Sequence, residues 1–292
     1  DFTSSKTFQE LEQQNRTQKN WEIGGDYEYE ANRSAKYRVL FIVNDRNFTY
    51  DSTRYDIEND QQEPNLFLDR MGRDRERIVR TSYTQRFIES QGIEVGVEGA
   101  QTIRDSTLKM GLDVPGITNK KFGNLVPVAV DNSTSTVEEI RYEPFTVHNW
   151  QINDRMSLES RVLYETSTIE QSGDIRNKRK FSFIKPKLDY RYDITQSLQL
   201  RFEVEKDISQ LSFSDFSASI DSGDEEKNTQ AGNPEIVQEK IWSYDLNLEY
   251  RLPNDIGVLN SQLYYRDVAD HIDRVDVSTS PDNLQSARGN IG

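Results

Sequence analysis

Apolar and polar residues alternate along most of this chain with a period of two, so each such segment presents one apolar and one polar face. Leu198, Leu200, Phe202 and Val204 alternate with Gln199, Arg201, Glu203 and Glu205. Leu246, Leu248, Tyr250 and Leu252 alternate with Asp245, Asn247, Glu249 and Arg251, and Leu188, Tyr190, Tyr192 and Ile194 with Asp189, Arg191 and Asp193. Trp21, Ile23, Tyr27 and Tyr29 do the same against Glu22, Asp26, Glu28 and Glu30. The pattern predicts ten strands, at 19–30, 35–50, 75–87, 91–109, 137–152, 155–170, 180–192, 197–211, 238–252 and 257–272. Most exceed the usual five or six residues, and each is long enough for the roughly 9 to 11 that a tilted strand needs to cross a bilayer.

The connections are expected to alternate in length. Short turns fall at 31–34, 88–90, 153–154, 193–196 and 253–256, and long polar loops at 51–74, 109–136, 171–179, 212–237 and from 273 onward. Transmembrane barrels sort their loops this way, with short turns on the periplasmic side and long loops outside the cell. A soluble sandwich also satisfies the alternation, its apolar faces packed on each other. The two differ in whether the face of Leu198, Leu200, Phe202 and Val204 lies under a second sheet or on an outer surface.

Leu, Ile, Val and Phe together make 71 of 292 residues, about 24%, just enough for a folded rather than disordered chain. No run of 18 apolar residues exists, which excludes a spanning helix but not a spanning barrel. With no cysteine and two histidines, His148 and His271, disulfide scaffolds, thiolate metal sites and the usual zinc ligand sets are excluded. A net charge of −14 argues against nucleic acid as a partner. Gly92, Gly96 and Gly99 have the wrong spacing for a dinucleotide loop and read as strand packing or bending. The acidic run Asp221, Asp224, Glu225 and Glu226 lacks the order of a calcium loop and reads as solvated. No serine elbow or other catalytic constellation stands out, so no enzyme activity and no cofactor are expected. His148, beside Trp150, reads as a strand residue near a membrane interface, and His271 as a loop-edge residue. Tyr27, Tyr29, Tyr190, Tyr192, Tyr250, Trp150 and Trp242 lie towards strand ends, as in the aromatic girdles of an outer-membrane barrel.

The segment from Lys185 to Ile272 resembles the barrel of TonB-dependent outer-membrane receptors. The residues that carry the resemblance are Pro186 in IKPKLDYRYDI, the strand LQLRFEVEKD, and above all the stretch AGNPEIVQEK, in which Gly232, Asn233, Pro234 and Glu239 match the family's GNPxLxPE signature. Ile236 and Gln238 depart from it, standing where the family usually has Leu and Pro. A descending strand, a tight turn at Pro253 to Gly257 and YYRDVADHI follow in the family's order, and VHNWQINDRMSLESRVLYE upstream is also similar.

The resemblance implies an all-β antiparallel up-and-down meander of about ten long strands, forming part of a transmembrane β-barrel in the bacterial outer membrane. It implies that residues 1–292 are a partial barrel, with the plug domain and closing strands absent. The implied partners are outer-membrane lipid, the TonB energy-coupling system reached through the absent plug, and an extracellular ligand of unknown class. A soluble or surface β-sheet module for carbohydrate and a passive porin-like barrel are the competing functions. The loop at 212–237 is the expected ligand-capture element. Within it Phe213 and Phe216 either cap the rising strand against the girdle or contact ligand. Acidic loops weigh against a strongly anionic ligand, with Arg176, Lys178, Arg179 and Lys180 as a basic exception that could touch lipopolysaccharide.

Overall fold

The computed structural model describes residues 9–58, 61–130, 132–216, 219–220, 229–231, 233, 235–278 and 285–291. In chain order the strands are β1 (Gln9–Asn32), β2 (Ala35–Glu58), β3 (Gln61–Ile88), β4 (Gln91–Leu112), β5 (Val126–Val128), β6 (Thr134–Asn153), β7 (Met156–Gly173) and β8 (Asn177–Asp193). There follow β9 (Leu198–Ile208), β10 (Ser219–Ile220), β11 (Thr229–Ala231), β12 (Lys240–Arg251), β13 (Val258–Ala269), β14 (His271–Asp276) and β15 (Gln285–Ile291). Ten of them form one antiparallel meander in the order β1-β2-β3-β4-β6-β7-β8-β9-β12-β13, with β5 added beside β4. The four short strands β10, β11, β15 and β14 make a second, small sheet. The expected meander is thus present, and no α-helix occurs among the described residues.

Three expectations need correction. The predicted loop at 51–74 is instead the paired upper half of a hairpin, because β2 runs to Glu58 and β3 starts at Gln61. Its residues are too polar to alternate visibly, yet the two strands pair from Asp51↔Asp69 to Glu58↔Gln61, with one bulge between Arg54 and Tyr55. The predicted loop at 171–179 shrinks to the turn between Gly173 and Asn177. Loop lengths therefore do not alternate strictly; the asymmetry lies largely in strands that overshoot at one end. The predicted strand at 257–272 breaks at Asp270, whose φ of 57° turns β14 out of the main sheet.

The alternation divides the main sheet into two faces. On one face of β12, Leu246, Leu248 and Tyr250 are 37, 40 and 40% exposed, and their neighbours across the sheet continue the same face, from Leu200 and Phe202 to Leu259 and Leu263. No second sheet covers this face among the described residues, which disposes of the sandwich. The other face carries Asn247, Glu249 and Arg201 and is the concave one: β1, β2, β3, β4, β6 and the segment after β9 together line one cleft on it.

Aromatic positions mark the height of the apolar band. Tyr29 and Trp21, Trp150 and Tyr142, and Tyr250 and Trp242 lie on the apolar face of β1, β6 and β12, in each case eight residues apart. At about 3.3 Å per residue the spacing is roughly 26 Å along the strand. Following the register from Tyr29 through Tyr37, Tyr83 and Val95 leads to Thr146, four residues above Trp150. From Trp150 the same walk through Leu158, Tyr190 and Phe202 leads to Leu246, four residues above Tyr250. Each walk crosses four strand pairs, so level girdles require a stagger of one residue per strand. With strands about 4.8 Å apart, that stagger is a tilt of about 35° and a band height of about 22 Å. Both values are those of a membrane-spanning barrel wall.

Candidate functional site

The concave face is built from inward-pointing charges that ion pairs link from strand to strand. Glu98 on β4 lies 3.8 Å from Arg80 on β3 and 3.6 Å from Arg141 on β6. Arg141 meets Glu143 at 3.3 Å, and Lys185 on β8 bridges Glu143 at 3.3 Å and Glu165 on β7 at 3.1 Å. A second chain joins Arg161 to Glu205 at 2.7 Å, then Lys187 to Glu205 at 3.3 Å and to Glu203 at 2.9 Å. Among partly buried groups such pairing offsets desolvation, and it keeps a highly charged wall folded without an apolar core beneath it. Gly96 admits the ring of Phe145: a Cβ there would meet Phe145 and the Thr81 carbonyl oxygen at 2.5 Å. The packing reading of the glycines holds for Gly96, whereas at Gly92 and Gly99 a Cβ would find only ordinary contacts.

After β9 the chain folds into the concave face instead of rising away from it. Phe213 and Phe216 are 9 and 2% exposed and pack with Leu211 and Ile236 on the inward-facing Val137 and Ile169. Neither ring reaches the girdle. The Phe216 carbonyl oxygen accepts from the side-chain amides of Asn132 and, at 2.9 Å, Gln171. This anchor was not legible in the sequence, since Val137, Ile169, Asn132 and Gln171 come from strands and loops far away in the chain.

The signature residues hold the far end of the same loop. The Asn233 amide N–H donates to the Asp215 carbonyl oxygen at 2.7 Å, its side-chain amide donates to the Arg288 carbonyl oxygen at 2.8 Å, and its Oδ1 accepts from the Glu235 N–H. The fully buried Ile236 is pinned by Arg179, whose Nη1 donates to the Ile236 carbonyl oxygen at 2.7 Å. Glu239 accepts from the Ile272 N–H and meets Nδ1 of His271 at 2.7 Å. Gly232 and Pro234 lie outside the described residues, as does the acidic run Asp221 to Glu226. Of the basic run, Lys178 is paired with Glu170 at 2.7 Å, and Arg179 is the group bound to Ile236. His148 stacks on Trp150 with ring centroids 6.4 Å apart, on the apolar face at the girdle.

Between the folded-in segment and the wall lies a cleft of about 410 Å³, lined by Glu22, Arg46, Glu76 and Arg104 from the strands and by Leu211 and Phe213. Its size is that of a small-molecule site, and it combines charged walls with one apolar edge. Burial holds the nearby Asp215 carboxyl above the ordinary aspartate range, against the pull of Arg288 and Arg104.

The family described as TonB dependent receptor-like, beta-barrel matches the chain over residues 1–292. Among solved structures, the ferric yersiniabactin uptake receptor FyuA from Yersinia pestis is similar at 13% identity and a TM-score of 0.58, over 93% of this chain and 38% of that one. The copper transporter OprC is similar at 12% identity and a TM-score of 0.65, over 92% of this chain and 41% of that one. The ferric-catecholate import receptor Fiu from E. coli K12 is similar at 11% identity and a TM-score of 0.61, over 94% and 43%. At such identities the likeness is one of fold, and the chain spans less than half of each of these proteins. No curated protein matches the sequence.

Proposed function

Because the chain belongs to the TonB-dependent receptor-like β-barrel family, we propose that it forms part of the wall of a bacterial outer-membrane receptor that captures an extracellular ligand in its lumen and imports it with TonB-coupled energy. Residues 1–292 supply ten wall strands, and the plug and the remaining strands belong to other parts of the same protein. The observation that carries this reading is the pairing of an uncovered apolar band with a charged concave face that holds a cleft. Among the described residues β1 and β13 each lack a second neighbour. Unpaired backbone groups in hydrocarbon cost several kcal/mol each, so the wall requires further strands to close it. Its role is to provide position and a route; no step of bond-making chemistry is assigned to it.

The structural neighbours are named for ferric yersiniabactin, copper and a peptide, so fold does not select a ligand class. The test is uptake by cells that carry or lack the full gene, over a panel of candidate nutrients, with and without the proton gradient. Uptake that needs both the gene and the gradient is expected. Uptake that persists when the gradient is collapsed would indicate a passive pore and overturn energy coupling.

A further inference from the structure

Above the apolar band, the inward face of β2, β3 and β4 gathers three arginines around one phenylalanine. Phe48 faces Gly72 in register, and its ring lies over the glycine, where a Cβ would collide with it. The Arg70 guanidinium lies 5.9 Å from the ring centroid and that of Arg104 lies 5.7 Å from it. Asp74 is ion-paired with Arg46 and, at 3.3 Å, with Arg104, so a single carboxylate serves two guanidiniums. Arg70 has no ion pair among the described residues, and the Nε of Arg104 is buried without a hydrogen-bond partner, the side chain being 15% exposed. Around the Phe48 ring itself the arginines share the single carboxylate of Asp74, while Asp215 acts on Arg104 from the folded-in segment and Glu22 and Glu76 line the adjoining cleft. Burial and the neighbouring Arg104 both hold Arg70 below the usual arginine range, with Asp74 opposing them.

Like charges crowded on one ring, with an unused N–H edge on one of them, are stabilised by an anion that accepts from both. Arginine forks match a planar carboxylate, and guanidinium and aromatic faces stack on flat groups. We propose that Arg70, Arg104 and Phe48 form a subsite of the lumen that takes a carboxylate carried on a flat, partly apolar ligand. Arg46 and Arg104 continue this subsite into the cleft closed by Leu211 and Phe213. The proposal deepens the receptor reading and rests on it for the position of the cluster in the lumen.

The experiment is calorimetric titration of the full-length gene product in detergent with benzene-1,3,5-tricarboxylate, with the neutral 1,3,5-tricarboxamide and with inorganic phosphate. The tricarboxylate should bind at least ten-fold more tightly than either of the others. Its affinity should fall at least ten-fold in Arg70→Gln and in Arg104→Gln. Should Arg104→Gln fail to assemble, Arg70→Gln, which breaks no ion pair, carries the test. Equal affinity for acid and amide, phosphate binding as tightly as the tricarboxylate, or an unchanged Arg70→Gln variant overturns the subsite. Binding in detergent needs neither TonB nor cells, so its failure leaves the uptake result standing, and a failure of uptake leaves the binding result standing.

Discussion

The Glu239 carboxylate accepts the backbone N–H of Ile272 at 2.6 Å, which ties the residue just before β12 to the corner where β13 gives way to β14. The same oxygen meets Nδ1 of His271 at 2.7 Å. The signature glutamate is thus a clasp between the approach to β12 and the first residues of β14. A charge-assisted bond of this kind contributes about 1.5 to 3 kcal/mol, so Glu239→Ala should release the corner while Glu239→Gln, which keeps an acceptor, should hold most of it. Hydrogen exchange at the Ile272 amide reads the difference directly. Equal protection in both variants and the parent would show that the clasp has no energetic role.

Gly96 gives a prediction about the inner wall. A methyl group at this position would meet the Thr81 carbonyl oxygen, which is backbone and cannot step aside. Gly96→Ala should cost about 1 to 3 kcal/mol by overpacking, and Gly99→Ala, where the nearest atoms are 3.6 Å away, much less. Urea unfolding of the lipid-reconstituted receptor compares the two.

The clasp and the wall differ in how far they can be read from sequence. Wall strands announce themselves because lipid on one side and water on the other impose a strict two-residue period, as at Leu246 to Leu252. Beyond the band both faces meet water, the period fades, and the paired residues from Asp51 to Asp74 pass for a loop. AGNPEIVQEK could be recognised as a motif, yet what Asn233 and Glu239 hold depends on Arg288 and Ile272, whose proximity arises only when β14 and β15 fold back. The arginine cluster was hidden for the same reason. Arg46, Arg70 and Arg104 are unremarkable in their own strands and become neighbours through register alone.

The loop after β9 should divide into a structural base and a dispensable tip. Phe216→Ala removes a buried ring from the cluster on Val137 and Ile169 and should cost about 3 to 5 kcal/mol. Replacing Ser219–Gln230 by a Gly/Ser linker in the full-length receptor should leave membrane insertion near normal and reduce uptake. Lost insertion after the linker replacement, with Phe216→Ala neutral, would reverse the assignment.

Asp215 makes the base of that loop sensitive to pH. Its carboxyl titrates above the unfolded value, so it favours the folded state when protonated, and that contribution is lost as pH rises through the raised value. Asp215→Asn should therefore gain stability relative to the parent as pH rises above about 3.8 towards neutrality, the starting value being that of an ordinary aspartate. Thermal melts at acidic and neutral pH measure it, and a gap of the same size at both would contradict a raised carboxyl.

Energetics should separate the two faces of β12. Leu248→Arg places a cation in the apolar band and should cost about 2 to 4 kcal/mol, whereas Asn247→Arg faces water and should cost far less. Folding titrations in lipid vesicles compare the two variants.

Residues 1–292 contain no cysteine, so once any cysteine elsewhere in the full-length protein is replaced by serine, single cysteines introduced one at a time from Ser243 to Tyr250 each report one position. In the full-length receptor reconstituted in vesicles, spin labels at 244, 246, 248 and 250 should be relaxed by oxygen, which partitions into lipid. Labels at 243, 245, 247 and 249 should be relaxed by a water-soluble nickel chelate. A barrel wall predicts this alternation residue by residue. Accessibility that varies smoothly along β12, or the same reagent reaching both sets, would show that the strand does not stand between lipid and a wet lumen.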